Sequence, residues 1–234
     1  MTFEEIRRKL RKLANKDKAK VLKGFFKTGP GQYGEGDVFL GITVPMLRQI
    51  AKECRNTSVA DMLKLLRSSI HEERVLALFL LVCAYGHGDD AAKKKIFSLY
   101  LKNARFINNW DLVDLSSPNI VGNHLMDKDR KLLYSLATSR HLWRKRIAIL
   151  ATFTFIRQND FCDTLNISQL LLVDKHDLIH KAVGWMLREV GKRDLKTEEK
   201  FLKQHYRIMP RTMLRYAIER FPERKRKKYL EGRM

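Results

Sequence analysis

The sequence is poor in residues that interrupt helices, poor in cysteine, and without a long apolar segment. Only 5 Pro and 12 Gly occur in 234 residues, so most segments run without a turn signal. Three cysteines, Cys54, Cys83 and Cys162, form no CxxC pair and leave one over in any pairing, which excludes a disulfide framework and a zinc finger. The longest apolar runs, residues 75–85 and 147–156, are too short to cross a bilayer. We therefore expect a soluble cytoplasmic protein with reduced thiols and no membrane partner.

Acidic residues are also scarce relative to basic ones. The chain has 47 Lys and Arg against 26 Asp and Glu, a formal net charge of +21. An excess of this size attracts polyanions, nucleic acid first and anionic membrane second, whereas a small acidic substrate would not need it. A membrane-bound protein would also need an amphipathic anchor, which we do not find. The alternative is a solvated basic surface that has no specific partner.

Apolar residues recur at spacings of three and four along nearly the whole chain, as in the MLKLL segment at residues 62–66. This periodicity predicts an all-α fold. Because 44% of the residues are hydrophobic, the chain is long and apolar enough to form one domain over residues 1–234. Helix starts are predicted at or next to Ser58, Asp89, Thr197, Pro210 and Pro222.

A repeat underlies these helices. The segments VLALFLL, RIAILAT, KAVGWML and RYAIERF each place an alanine among large apolar residues: Ala77, Ala148, Ala182 and Ala217. Their separations are 71, 34 and 35 residues, so the period is near 35 and a fifth member is expected near residue 112. Such a period is typical of an α-solenoid, whose units bury their apolar faces only by stacking. Chance placement of alanine in helices is the alternative.

Two motifs suggest sites without the context that a site needs. Residues 29–36 contain a formal GxGxxG, but they follow a helical stretch and not a strand, so we predict a long connection in which Tyr33 can touch a ligand. His176 and His180 are four residues apart and share a helix face. No HExxH surrounds them and no third ligand is suggested, so we predict a structural or surface role and no metal site.

The segment NNWDLVDL carries a stronger signal. Trp110 and Asp114 are four residues apart, so on a helix they share one face, while Leu112 and Val113 supply the core face. A carboxylate in a basic groove repels the DNA backbone, so a specific task must offset its presence. The alternative is structural, with Asp114 paired to a Lys or Arg of the neighbouring repeat and Trp110 filling the core.

Arg146 and Trp185 share the phase of the repeat with these two residues. In a solenoid, all four would converge on one concave, basic wall, with Asp114 and Arg146 accessible to solvent. Arg146 could then grip a phosphate and the indoles could lie against deoxyribose or a cationic base. Asp114 could stabilise positive charge on the sugar or position water. Further phosphate contacts are expected from Lys145, Arg188, Arg211 and Arg215.

The chain resembles the AlkD-type DNA alkylation repair glycosylases from about Ala19 to Arg220. The resemblance rests, in order, on FFKTGPGQYGEGDVFLGITVPMLRQIAK, HEERVLALFLL, NNWDLVDLSSPNIVG, LWRKRIAILAT and HKAVGWMLREVGKR. The WDLVD and GWMLRE segments are its more specific parts. The resemblance implies a HEAT-like α-solenoid that acts as a monomer and releases N-alkylated purines, such as 3-methyladenine and 7-methylguanine, from duplex DNA by hydrolysis, without a metal or other cofactor.

By the same resemblance, the family's catalytic aspartate falls on Asp114, its paired tryptophan on Trp110, its DNA-contacting arginine on Arg146 and its second cleft tryptophan on Trp185. Asn109 stands where the family can have an additional aromatic residue, which bears on substrate preference. A cationic base is a good leaving group, so the reaction needs no general acid. The rival hypothesis is a non-enzymatic solenoid that binds nucleic acid or protein and has kept the fold without the chemistry.

Overall fold

The protein is described over residues 1–234 by a computed structural model, and its regular elements are helices, which confirms the all-α prediction. The α-helices are α1 (Phe3–Lys12), α2 (Lys16–Phe25), α3 (Val44–Glu53), α4 (Val59–Leu66), α5 (His71–His87), α6 (Asp90–Lys102), α7 (Trp110–Ser117), α8 (Lys131–Ala137), α9 (Leu142–Ala151), α10 (Phe153–Arg157), α11 (Cys162–Leu170), α12 (Asp177–Gly191), α13 (Leu195–His205), α14 (Arg211–Ala217) and α15 (Glu223–Leu230). None of them combines the length and the apolar composition that a bilayer-crossing segment requires.

The chain divides into two compact units, an N-terminal unit of residues Met1–Ser116 and a C-terminal unit of residues Ser117–Met234. Each has helices packed around its own buried apolar side chains. The single domain over residues 1–234 and the concave basic groove stay predictions.

Helix starts follow the sequence signals with small shifts. Ser58 caps α4 by accepting a hydrogen bond from the backbone N–H of Asp61 at 3.1 Å, and Asp89 caps α6, both as predicted. Thr197 does not begin a helix. Asp194 caps α13 instead, because its carboxylate accepts from the N–H groups of Lys196 and Thr197 and so moves the start upstream.

The core of the N-terminal unit is α5, which packs against α3, α4 and α6. Before it, residues 26–43 connect α2 to α3 without a preceding strand, which confirms the predicted connection. Gly31, Gly36 and Gly41 have positive φ angles in this connection. Gly41 is the most constrained, since an added Cβ would lie 2.1 Å from the carbonyl oxygen of Asn15. The connection is therefore pressed closely onto α2.

The C-terminal unit shows the predicted stacking of repeats, because α12 packs on both α9 and α14. Ala148, Ala182 and Ala217 lie on these three helices and are completely buried. At Gly184, an added Cβ would be 2.4 Å from the carbonyl oxygen of Met213, so α12 and α14 approach with no room for a side chain. The three helices that carry equivalent positions of the sequence repeat therefore pack together in the core of the C-terminal unit.

The other two members of the repeat also lie on buried helical surfaces. Ala77 is completely buried on α5, and the position near residue 112 is occupied by Leu112, completely buried on α7. After α7, the chain continues into a π-helical turn, Pro118–Gly122. Proline has no N–H for the regular helical ladder, and the carbonyl of Pro118 accepts instead from the hydroxyl of Thr154 at 2.6 Å.

Candidate functional site

Helix α7 carries the pair of residues that the sequence singled out. Trp110 is its first residue and Asp114 lies one turn later, and both side chains are half-buried. Leu112 and Val113 between them are completely buried, as predicted. The shared face of Trp110 and Asp114 therefore follows from α7 turning its apolar side into the core of the N-terminal unit.

Trp110 packs on two aromatic side chains from the end of α2. Its ring is stacked on Phe26, with centroids 5.4 Å apart and planes inclined by 24°. Phe25, which is 61% exposed, meets the same indole edge-on at 5.9 Å. Aromatic pairs in these arrangements contribute about 0.5–1.5 kcal/mol each beyond the area they bury. One side of the indole is thus fixed by the protein.

Asp114 lies near a buried phenol. Tyr100 is completely buried on α6, and its hydroxyl is 2.9 Å from the hydroxyl of Ser116, which donates to the carbonyl oxygen of Leu112. Burial raises the pKa of Tyr100, and the negative charge of Asp114 adds to the effect over the opposing hydrogen bond of Ser116. Tyr100 therefore stays neutral at physiological pH and leaves the charge beside α7 to the carboxylate.

A cluster of buried charged and polar side chains lies under the start of α7. His71, the first residue of α5 and 3% exposed, places Nε2 at 2.7 Å from Oδ2 of Asp111 and Nδ1 at 3.3 Å from Oδ2 of Asp37. The other oxygen of Asp37 pairs with Arg74 at 2.7 Å. Asn109 donates to Asp37 at 3.4 Å and accepts from the backbone N–H of the next residue, at the start of α7. We call these five residues the His71 cluster.

The surroundings of His71 favour its charged form. Burial alone would lower the pKa of this imidazole, but the hydrogen bond and charge of Asp111, with the hydrogen bond of Asp37, outweigh burial and the nearby Arg74 and raise the pKa to about 9. Two phenyl rings contact the imidazole, since the centroids of Phe26 and Phe39 each lie 4.8 Å from it and 5.2 Å from one another. The cation is thus held by a carboxylate at each ring nitrogen and packs against two aromatic rings.

An apolar cavity of about 510 Å³ opens beside this cluster within the N-terminal unit. Its walls combine aromatic residues from α2 and α7 with aliphatic residues from α2, α3, α5 and the preceding connection. The residues that line it include Phe25, Phe26, His71, Glu72 and Trp110. Glu72 is buried and accepts hydrogen bonds from the backbone N–H groups of residues 40–42, so its oxygens serve the connection.

The burial of Arg146 differs from what the sequence predicted. It lies on α9 in the C-terminal unit and is only 4% exposed, so the expectation of a solvent-accessible side chain is wrong. The guanidinium group donates from Nη1 to the carbonyl oxygen of Leu178 at 2.6 Å, in the first turn of α12. A buried guanidinium needs such acceptors, and this one draws the side chain toward α12.

Trp185 lies half-buried on α12, next to the closely packed Gly184. Its indole N–H donates to Oε1 of Glu189 at 3.0 Å, and its ring lies 5.9 Å from that of Phe153, centroid to centroid. Like Trp110, it presents an aromatic ring that the surrounding protein holds in place.

The predicted DNA-contacting cations fall into two groups. Lys145 binds Asp174 at 2.6 Å, and Arg188 forms an ion pair with Glu219, so both already have acidic partners in the protein. Arg211 and Arg215 are exposed on α14, and Arg211 donates to the carbonyl oxygen of Leu230 at 2.7 Å. Tyr33 is half-buried in the connection between α2 and α3.

His176 and His180 have structural roles, as predicted, but they do not share a helix face, because His176 is the N-cap of α12 and only His180 lies on that helix. Nδ1 of His176 accepts from the backbone N–H of Leu178 at 3.1 Å and so caps α12. Burial lowers the pKa of His176, which keeps the imidazole neutral and able to accept. Nε2 of His180 bonds the carbonyl oxygen of Asp174 at 2.6 Å. Both rings therefore stabilise the start of α12.

The sequence did not predict the His71 cluster. Its members Asp37, His71 and Asp111 lie 34 and 40 residues apart, and a charged run such as HEER at residues 71–74 is usually solvated. One signal was present. The HEER run leads directly into the apolar segment VLALFLL of the same helix, and a helix that is apolar on all sides is buried along its length.

Comparisons with known proteins agree on one family. A family model described as "DNA alkylation repair enzyme" matches residues 6–221. Among solved structures, a protein titled "Predicted DNA alkylation repair enzyme from Enterococcus faecalis" is similar, with a TM-score of 0.68 over 90% of this chain and 97% of that one. The two sequences are 15% identical, so this likeness concerns the fold. No curated protein matches the chain.

Proposed function

Because the chain belongs to the DNA alkylation repair enzyme family, we propose that it is a monofunctional DNA glycosylase that hydrolyses the N-glycosidic bond of N-alkylated purines in duplex DNA. The substrate class would include 3-methyladenine and 7-methylguanine. We further propose that it acts as a cytoplasmic monomer in base excision repair, without a cofactor.

The observation that carries this proposal is the arrangement on α7. Trp110 is held against Phe25 and Phe26, and Asp114 follows one helical turn later beside the neutral Tyr100. An aromatic surface and a carboxylate on one face suit a sugar that becomes cationic while its base departs. Excision of the glycosidic bond passes through an oxocarbenium-like state, for which a carboxylate is the fitting partner.

We assign Asp114 the catalytic role of stabilising positive charge on the deoxyribose or orienting the attacking water. Water adds to the anomeric carbon and releases one proton to solvent, while the bond to the purine nitrogen breaks and its electrons leave with the base. An N-alkylated purine is cationic at this point, so it departs as a neutral base without protonation by the enzyme. We assign Trp110 and Trp185 to contacts with the sugar or base.

The carboxylate role is tested by Asp114→Asn, which keeps the shape and removes the charge. We expect single-turnover release of 7-methylguanine from methylated duplex to slow by about 10²-fold or more, because one preorganised electrostatic group is lost. Duplex binding should hold or tighten, since a charge that repels phosphates is gone. The control is Asp90→Asn, which removes an exposed carboxylate from α6 in the same unit.

Base release is followed by chromatography and binding by titration of the same duplex. If Asp114→Asn releases base at the wild-type rate with its fold intact, the carboxylate mechanism is wrong. If the wild-type protein binds methylated duplex but releases no base, the non-enzymatic solenoid is the better description.

A further inference from the structure

Two members of the His71 cluster, Asn109 and Asp111, accept hydrogen bonds from the backbone at the start of α7. Asp111, the second residue of α7, binds Nε2 of His71 at 2.7 Å with one oxygen and accepts the backbone N–H of Leu112 at 2.8 Å with the other. Asn109, just before α7, bonds Asp37 and accepts the backbone N–H of Trp110 at 2.8 Å. The backbone on either side of Trp110 is therefore fixed by side chains of the cluster.

A second connection runs through the aromatic rings. The imidazole of His71 lies against Phe26, whose ring is stacked on Trp110. His71 also donates its backbone N–H to the carbonyl oxygen of Val38 at 2.8 Å, which holds the connection that carries Asp37 and Phe39. One side chain thus contacts the connection, the end of α2 and the start of α7.

We propose that His71 is a positioning residue of the glycosylase: it fixes the first turn of α7, and through Asp111 and Phe26 it sets the direction in which Trp110 and Asp114 project. This inference rests on the proposed function. His71 is itself buried, so it does not touch substrate and acts only through these neighbours.

The charged groups that face His71 determine in which protonation state it can hold the first turn of α7. Asp37 approaches from the connection, Asp111 from α7, and Arg74 from the next turn of α5, where Nη2 lies 3.4 Å from Nδ1 of His71. Glu72 lines the same cavity but bonds the backbone of residues 40–42. Carboxylates flank both ring nitrogens and have no proton to donate, so the cluster is complete only while the imidazole carries both of its protons.

The first test compares His71→Phe and His71→Gln with His87→Gln, a matched control at the exposed end of the same helix. We expect His71→Phe to lower the single-turnover rate of 7-methylguanine release by at least tenfold. His71→Gln, which can still donate one hydrogen bond to Asp111, should recover part of that rate. His87→Gln should behave as wild type. A His71→Phe variant that folds and excises at the wild-type rate would overturn the proposal.

The second test is the pH profile, which a purely structural role would leave unchanged. The wild-type rate should fall as pH rises through about 9, because His71 loses the proton it shares with Asp111. The profile of His71→Gln should lack this fall, since glutamine has no proton to lose in this range. Loss of methylated substrate in alkali would affect both proteins equally. Identical falls in both would assign the titration to another group and overturn the proposal.

A third measurement separates this inference from the proposed function. The indole N–H resonance of Trp110, assigned by its absence in Trp110→Phe, should shift with a midpoint near pH 9 in the wild type and not in His71→Gln. If the wild type releases no base but this resonance titrates as described, the glycosylase proposal fails and the control of Trp110 by His71 stands. If base is released and the resonance does not respond, the positioning role fails alone.

Discussion

The two units carry the same number of acidic residues and place their charges differently. Residues 1–116 have 21 Lys and Arg and residues 117–234 have 26, while each unit has 13 Asp and Glu. The N-terminal unit buries an ion cluster around His71, whereas the C-terminal unit is built around close contact of α9, α12 and α14. The buried contacts are thus ionic at the start of α5 and sterically close where α12 meets α14.

Their buried ionisable groups show the same contrast. His71 is a cation with a carboxylate at each ring nitrogen. Glu198, on α13 and 2% exposed, has an Oε1 atom without a hydrogen-bond partner. Burial and the neighbouring charge of Glu199 raise the pKa of Glu198 to about 8 over the opposing charges of Arg188 and Lys225. A paired charge is stable inside this protein, while a lone acid stays neutral.

The largest effect is expected where α12 meets α14. Gly184→Ala places a Cβ at 2.4 Å from the carbonyl oxygen of Met213 and should lower the free energy of unfolding of the C-terminal unit by about 3 kcal/mol, as overpacking does. The matched control is Gly86→Ala on α5, where an added Cβ meets nothing within 4 Å. It should stabilise the protein by about 0.5–1 kcal/mol.

Urea titration of both glycine variants measures this difference. If Gly184→Ala is as stable as the wild type, the close approach of the two helices does not hold the C-terminal unit together.

A second comparison of the two units replaces one tryptophan side chain in each of them. Trp110→Ala and Trp185→Ala should each weaken duplex binding by about 1–3 kcal/mol, the usual value of a stacking contact with nucleic acid. Trp110→Ala should also lower the melting temperature of the N-terminal unit, because Phe26 loses its stacked neighbour. Titration of a fluorescent duplex and thermal denaturation check these expectations. Unchanged affinity in either variant removes that indole from the proposed DNA contacts.

The buried carboxyl group of Glu198 leads to a prediction about how the stability of the protein depends on pH. The pKa of Glu198 is higher in the folded protein than its ordinary value of 4.5, so its contribution to stability is complete below that value and is lost as pH rises through about 8. Glu198→Gln keeps the shape and cannot ionise. At pH 9, the free energy of unfolding of this variant should therefore be about 2 kcal/mol higher than that of the wild type. At pH 4 the two proteins should agree within about 0.5 kcal/mol.

Denaturant titrations at pH 4 and pH 9 decide this point. Equal stability at pH 9 would show that the carboxylate is solvated in the folded protein.

The smallest effect concerns the cations of the C-terminal unit. Arg215 is exposed on α14, so Arg215→Ala should reduce the slope of log affinity against log salt by about 0.9 if it contacts a phosphate. Lys145→Ala should change the slope less, because Lys145 is paired with Asp174. Duplex titrations between dilute and physiological salt measure these slopes, and a slope unchanged in Arg215→Ala contradicts its assignment.

The sequence by itself determined the features that depend on neighbours along the chain. The spacing of Trp110 and Asp114 put both on one face of α7, and the caps at Ser58 and Asp89 began their helices. The repeat near 35 residues predicted that α9, α12 and α14 pack together. These predictions succeeded because helical phase and end capping are decided within a few residues, and repeats extend that local pattern.

Only the tertiary structure decided which polar groups are buried and with whom. Arg146 and the HEER run that begins with His71 are charged in the sequence, yet the structure buries Arg146 and all four residues of the run. The partners of His71 include Asp37 and Asp111, which lie tens of residues away, and Arg146 donates to a backbone carbonyl on another helix. Burying a charge costs free energy that only such partners offset, and folding alone brings them within hydrogen-bond distance.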